Sequence, residues 1–249
     1  FASILNSFGC EVSVVEFLKE GLPALDGDIA KRLRKCLEKR GVAFYMQSGL
    51  KSAANGKVVF EKKGKETELE AEKVLLAVGR KPNVEGLGLD EVGIAYDKKG
   101  ITVNDMMQTS VPGVYAIGDV NGRQMLAHAA EMQGKRAVNS ILGLQDDIRF
   151  EIMPAAIFTN PEAACVGKTE EQLKAEGVEY ICQKHYYRAN GKALAMNETE
   201  GMLKLLADKN GLIIGCHVYG AHAADLVQEV SVLMCRNTTL QQLHDMTHI

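Results

Sequence analysis

Apolar and polar positions along the chain follow two periods, and the change from one to the other marks out the elements. Phe1, Ile4, Leu5 and Phe8 recur at helical spacing and stop at Gly9. Val12, Val14 and Val15 predict a strand over 10–17 with Glu16 at its carboxyl end. From Asp26 to Arg40 the apolar stripe is Ile29, Leu33, Cys36 and Leu37. Asp26 stands as the cap, Asp28 lies in the first turn, Lys39 and Arg40 lie at the end, and Gly41 is the stop. A strand over 42–47 follows, and Asn55-Gly56 predicts a hairpin into 58–62 with 66–70 as a third strand. Lys73 to Val78 reads as a buried strand, and so does Val114 to Ile117, set between Pro112-Gly113 and Gly118-Asp119. A helix is expected from Leu126 to Leu142.

Beyond Asp146-Asp147 and Pro154 the grammar changes. Strands are expected over 155–159 and 163–167, then a helix over 169–175 with Thr169 and Gln172 in capping-box positions. Met202 to Asp208 and Leu212 to Val218 form an apolar hairpin through Asn210-Gly211, and helices over 223–236 and 238–245 follow. The hairpin and the helix carrying Ala224, Val227, Val230, Val232 and Met234 hold more apolar surface than a small lone domain would cover, which predicts self-association. The expected fold class is therefore partial Rossmann-like α/β domains followed by an α+β dimerisation domain.

Composition narrows the function by exclusion. With 46% hydrophobic and 24% charged residues and a net charge of −3, the 249 residues give no electrostatic footprint for nucleic acid or anionic lipid. No apolar run reaches the length of a membrane span, and no signal peptide opens the chain. The six cysteines form no CxxC or CxxxxC pair, so a reducing intracellular setting is expected and no metal site. A helical pattern that starts without a cap or initiator methionine, and an end without a closing signal, point to part of a longer chain.

The richest chemistry lies at Gly118-Asp119. An acceptor-only carboxylate would stand at the carboxyl end of a parallel strand, a glycine would let a ligand approach, and a helix N-terminus would point into the same crevice. On these residues alone, a strand, a turn and a helix with Asp119 as a turn cap read equally well. The longer string TSVPGVYAIGD, with MLAH at Met125 to His128, resembles the second flavin-binding motif of the FAD-dependent pyridine nucleotide–disulfide oxidoreductases. The resemblance implies that Asp119 holds the ribityl chain of FAD and that Met125, Leu126, Ala127 and His128 lie against its ring. It also implies that Glu16 binds the ribose of NAD, that Leu50 touches the adenine side and that Gly79, in GRKP, belongs to the NAD site at the crossover between domains. The string FTNPEAACVGKTEEQLK resembles the start of the family's dimerisation domain.

The resemblance covers nearly the whole chain and implies three parts: residues 1–79 from an NAD-binding domain, 80–148 from an FAD-binding domain, and 149–249 an incomplete interface domain. The implied enzyme is a homodimer of the cytoplasm or mitochondrial matrix. It reoxidises lipoyl domains of 2-oxo-acid dehydrogenase or glycine cleavage complexes with FAD and NAD. A relative acting on glutathione or mercuric ion would use NADP, which Glu16 argues against. A non-catalytic nucleotide-binding or dimerisation module is the reading from another class. No catalytic residue is assigned, because no two cysteines lie closer than 17 positions. His248, by register, matches a neighbour of the family's base and not the base itself. His185, His217, His222 and His244 read as surface or core residues.

Overall fold

The computed structural model describes residues 1–247. They form two compact units. One is Phe1–Leu75 together with the chain from Ile152 onward, the other Leu76–Glu151.

In the first segment, α1 (Ala2–Ser7) leads to β1 (Ser13–Glu16), α2 (Gly27–Lys39) and β2 (Ala43–Met46). The two strands run parallel, with Ser13 opposite Ala43 and Glu16 opposite Met46. Asp26 caps α2 by accepting from the Asp28 N–H at 3.1 Å. Its expected stripe is buried: Ile29 and Leu33 are fully covered. Next comes an antiparallel sheet of β3 (Gly49–Ala54), β4 (Lys57–Lys62) and β5 (Lys65–Glu70). Its first turn uses Asn55 and Gly56, both at positive φ, as the hairpin expectation required. Phe60 is buried on one face of this sheet.

Lys73 to Val78 departs from expectation. It is not a strand, and Leu76 and Val78 are 70% and 88% exposed. A parallel strand exists only where neighbours take its backbone N–H and C=O groups. Among the described residues nothing pairs with this one.

The second unit holds a two-stranded ribbon, β6 (Tyr96–Asp97) and β7 (Gly100–Ile101), a 3-10 turn at Gly118–Asn121, and α3 (Ala127–Ile141). Leu89, Ile94, Ile101 and Ala116 form its small core. The expected buried strand at Val114 to Ile117 is also corrected. Its one ladder contact is a single bridge from Tyr115 to Gln108, and Val114 and Ile117 are exposed.

The remaining chain contributes β8 (Ala155–Ile157), β9 (Ala163–Gly167), α4 (Glu170–Ala175), β10 (Tyr180–Tyr186), α5 (Gly191–Ala195), β11 (Met202–Asp208), β12 (Ile213–Tyr219), α6 (Ala223–Cys235) and α7 (Leu240–His244). The five strands form one antiparallel sheet in the order β10-β11-β12-β9-β8. On one face, Val227, Val230 and Met234 of α6 pack over Ala164, Val166, Cys216 and Val218. On the other, Ile29, Leu33 and Leu37 of α2 pack with Ala163, Cys165, Met202 and Tyr219. The sheet is thus covered by the last long helix and by a helix from the beginning of the chain. Much of the apolar surface expected to drive self-association is buried inside this unit, and Val232 is a large apolar α6 residue left exposed, at 54%.

Beneath α2 the sheet carries charge. Lys204, on β11, is fully buried and bonds Asp26 Oδ1 at 2.7 Å, Asp28 Oδ2 at 3.3 Å and the Glu170 carboxylate. Asp26 also accepts from the Glu170 N–H at 3.0 Å, and Lys184 reaches Asp28 at 2.6 Å. The positions of Asp26, Asp28, Glu170 and Lys204 along the sequence give no sign of this seam.

Candidate functional site

The second unit is built to present Asp119. Gly118 enters the 3-10 turn at φ +73, a conformation that favours glycine, and Gly122 leaves it at φ +64. A side chain on Gly122 would collide with the Lys99 carbonyl oxygen, and one on Gly100 with the Val120 carbonyl. These two glycines let the β6–β7 ribbon back the turn at backbone distance.

A buried amide holds the turn from the other side. Gln133, on α3 and 1% exposed, accepts from the Gly118 N–H at 2.8 Å and from Asn121 Nδ2 at 2.8 Å. Asn121 donates as well to the Ala116 carbonyl at 3.0 Å and accepts from the Arg123 N–H at 3.0 Å. Every polar atom of the Asn121 amide is therefore engaged. The Asp119 side chain takes no part and is half exposed, with Arg80 Nε at 3.9 Å. That guanidinium is itself 79% exposed, so the pair is loose and solvated.

The N-terminus of α3 follows directly. Leu126 occupies the cap position, where it has no side chain able to accept, so the first N–H groups of a 15-residue helix take no side-chain cap. Met125 and Leu126 are half-buried, Ala127 and His128 exposed. The far half of α3 is anchored by Arg136, which donates to Asp146 at 2.8 Å, to the Ile148 carbonyl at 2.7 Å and to the Asp105 carbonyl at 3.1 Å. Burial pushes the Asp146 carboxyl up, but the donors Asn139, Ile148 N–H and Arg136 outweigh it and hold the group below its usual range.

Glu16 and Leu50 lie in the other unit. Glu16 ends β1 as expected, and its Oε1 accepts from the Leu18 N–H at 2.8 Å. Ser48 N–H donates to the Glu16 carbonyl at 2.9 Å and Gln47 N–H to the Leu18 carbonyl at 3.0 Å. The β1 end and the start of β3, which carries the 49% exposed Leu50, are thereby tied to one edge. Gly79, in the second unit, sits at φ +102, with open space where a side chain would be. His248 lies outside the described residues.

These features test the fit of a flavin nucleotide at Asp119. The carboxylate is accessible, Gly118 lets the turn come close to Ala130 of α3, and helix N–H groups without a side-chain cap follow within one segment. Hydroxyl donors from a polyol would suit the first, and a developing negative charge the last. The residues fit.

The residues missed from sequence are Gln133, Asn121 and Lys204. Gln133 sits at i, i+4, i+8 with Ala129 and Ala137 on the buried stripe of α3, and a polar residue there was the available signal. His217, fully buried on β12, donates through Nε2 to the Lys168 carbonyl at 2.9 Å, and burial lowers its pKa. It is a core residue. His222 lies on the surface beside Asp225, at 3.1 Å.

Comparison with known proteins adds two family matches: pyridine nucleotide-disulphide oxidoreductase over residues 1–134, and the dimerisation domain of the same family over 153–249. Among curated relatives, the chain is 40% identical to a mitochondrial dihydrolipoyl dehydrogenase 2 of Arabidopsis thaliana, covering 99% of the chain and 50% of that protein. It is also 40% identical to a dihydrolipoyl dehydrogenase of Mycobacterium tuberculosis (100% and 55%) and 38% identical to a leghemoglobin reductase of Glycine max (99% and 49%). The chain thus spans about half the length of the curated relatives it matches. Of solved structures, LpdA of Mycobacterium tuberculosis superposes with a TM-score of 0.88 at 29% identity, over all of this chain and 55% of that one. The HOCl-induced flavoprotein disulfide reductase RclA of Escherichia coli gives 0.86 at 25%, over 100% and 58%.

Proposed function

Because this chain belongs to the pyridine nucleotide-disulphide oxidoreductase family, we propose that it is part of a dihydrolipoyl dehydrogenase. Such an enzyme passes electrons from a protein-bound dihydrolipoyl dithiol to NAD, with FAD supplying the electron transfer between them when bound. The observation that carries this reading is the Asp119 turn: its backbone is fixed by buried donors and acceptors, its carboxylate is left free, and α3 begins beside it.

On this reading residues 80–148 hold the flavin. Asp119 accepts hydrogen bonds from the ribityl hydroxyls, while Met125, Leu126, Ala127 and His128 cover the ring and aim the N–H groups of α3 at its negative side. Residues 1–79 serve NAD. Glu16 accepts from the ribose hydroxyls, Leu50 lies against the adenine, and Gly79 lets the backbone approach. A 2′-phosphate at Glu16 would meet like charge, which favours NAD over NADP and sets the chain apart from a glutathione or mercuric reductase. Residues 149–249 supply the interface of a homodimer, and lipoyl domains of 2-oxo-acid dehydrogenase or glycine cleavage complexes are its electron donors. The setting is the cytoplasm, or the mitochondrial matrix if the source is a eukaryote.

The dithiol chemistry needs a cysteine pair and a base to form the thiolate, and these 249 residues hold no CxxC or CxxxxC pair. The exposed Leu76, Val78, Val114 and Ile117 are surfaces the rest of such an enzyme would cover. The experiment is to purify the intact protein and measure bound flavin and lipoamide-dependent NADH oxidation, with these 249 residues alone in parallel. Flavin and turnover in the intact protein, and no turnover in the chain alone, are expected. An intact protein that is a homodimer without flavin would instead be a binding or dimerisation module.

A further inference from the structure

The buried stripe of α3 is Ala129, Gln133 and Ala137. A glutamine between two alanines has no packing reason to be polar, since leucine would fill the same space without an amide to satisfy. Its oxygen has two buried donors: the Gly118 N–H, one residue before Asp119, and the Asn121 amide, two residues after it. Asn121 extends the grip to the Ala116 carbonyl and the Arg123 N–H. The backbone is therefore pinned on both sides of Asp119, from one point on α3, and the carboxylate itself is not among the partners.

We propose that Gln133, acting with Asn121, is a positioning residue that fixes the direction of the Asp119 carboxylate for flavin binding. The inference rests on the flavin reading of Asp119 given above and goes beyond it in assigning the aim of that carboxylate to α3. Without the amide oxygen, two donors in a closed environment lose their acceptor, and the Gly118–Asn121 turn has to move to find replacements. The aim of Asp119 then varies while the helix and its alanine packing persist. Gln133→Glu retains an acceptor at the same place, because a carboxylate oxygen can take both donors.

The test uses the intact flavoprotein, stripped of flavin and titrated with FAD by quenching of flavin fluorescence. Far-UV circular dichroism reports the fold. Gln133→Leu is expected to weaken FAD about ten- to hundredfold, and Gln133→Glu to stay near the parent. Asp119→Asn weakens FAD on its own, and adding Gln133→Leu to it is expected to cost less than about twofold more, because a residue that acts through Asp119 has nothing left to aim. Should Gln133→Leu not fold, Asn121→Ala removes one of the two donors and is carried through the same cycle. A folded Gln133→Leu protein with unchanged FAD affinity overturns the proposal. So does an equal loss in both backgrounds, which would make Gln133 a packing residue. Full FAD affinity in Asp119→Asn would instead remove the flavin reading on which the proposal stands, and the two failures are distinct.

Discussion

Two aspartates near the start of a helix have opposite fates in this molecule. Asp26 is fully buried, caps α2, accepts the Glu170 N–H and pairs with Lys204. Asp119 sits in a turn that is held just as firmly, yet every bond that holds it goes to other atoms. In the first region the carboxylate is the fastener; in the second the fastening is done by amides and the carboxylate is kept out of it. A buried, fully engaged acid stabilises a fold, whereas an acid whose surroundings are engaged and whose own oxygens are accessible is prepared for something that arrives later.

The sharpest way to break the contrast is at Lys204. Lys204→Met leaves the buried Asp26 carboxylate without a cation and Glu170 with Lys174 alone, and a loss of about 3–5 kcal/mol in chemical denaturation is expected. Neutralising all three, as Asp26→Asn/Glu170→Gln/Lys204→Met, should recover most of it, since the cost comes from the orphaned charges. A triple variant as unstable as the single one would mean that the ion pairs themselves carry the stability.

Proton titration separates the regions next. The Lys174 and Lys204 ammonium groups beside Glu170 hold its pKa down to about 2, and Lys184 and Lys204 lower that of Asp28. A depressed carboxyl contributes stability above its unfolded value, near 4.3 for Glu, and loses it as pH falls through the folded value. Burial pulls Lys204 down, but Asp26 and Glu170 outweigh it and raise it, so its contribution holds below about 10.4 and is lost as pH rises further. Burial also holds the Cys165 and Cys216 thiols protonated in the folded chain, and unfolding frees them to ionise above about 8.5, so stability should decline on both sides of a plateau between about pH 5 and 8. Melting temperatures across that range would check this, and an acid limb unchanged in Glu170→Gln would count against the assignment.

Glu16 gives a smaller effect, read as preference. Glu16→Ala in the intact protein should shift the ratio of kcat/KM for NAD over NADP toward NADP by about tenfold, the worth of a charged hydrogen bond or two. An unchanged ratio would take Glu16 out of the nucleotide site. The smallest effect is expected at Asp119 itself. In flavin-free protein, Asp119→Asn should change unfolding free energy by less than about 0.5 kcal/mol, as for other solvated positions. A larger loss would make Asp119 a fastener like Asp26.

What could be read in the sequence was what neighbours along the chain decide. The cap and stripe of α2, the capping box at Thr169 and Gln172, the Asn55-Gly56 turn, and β9 and β11 all lie where local chemistry puts them. The strands expected at 73–78 and 114–117 fail for the converse reason: an apolar run becomes a strand only when another strand lies beside it. β10 escaped notice because Tyr-Ile-Cys-Gln-Lys-His-Tyr alternates weakly and gains its place by pairing with β11. In the candidate site Asp119 stood out through its motif. Gln133 could not, since its role depends on a turn 15 residues upstream folding back onto α3.

The bond between Asp26 and Lys204 spans 178 positions. A ribosome adding roughly 5–20 residues per second needs on the order of 10–35 s to get from one to the other. Throughout that interval α2 has its cap but not its cation, and the sheet that covers its apolar stripe does not yet exist. α2 is therefore made long before the strand that buries its cap is available, and the nascent segment has to be kept in solution by its own charges until β11 emerges.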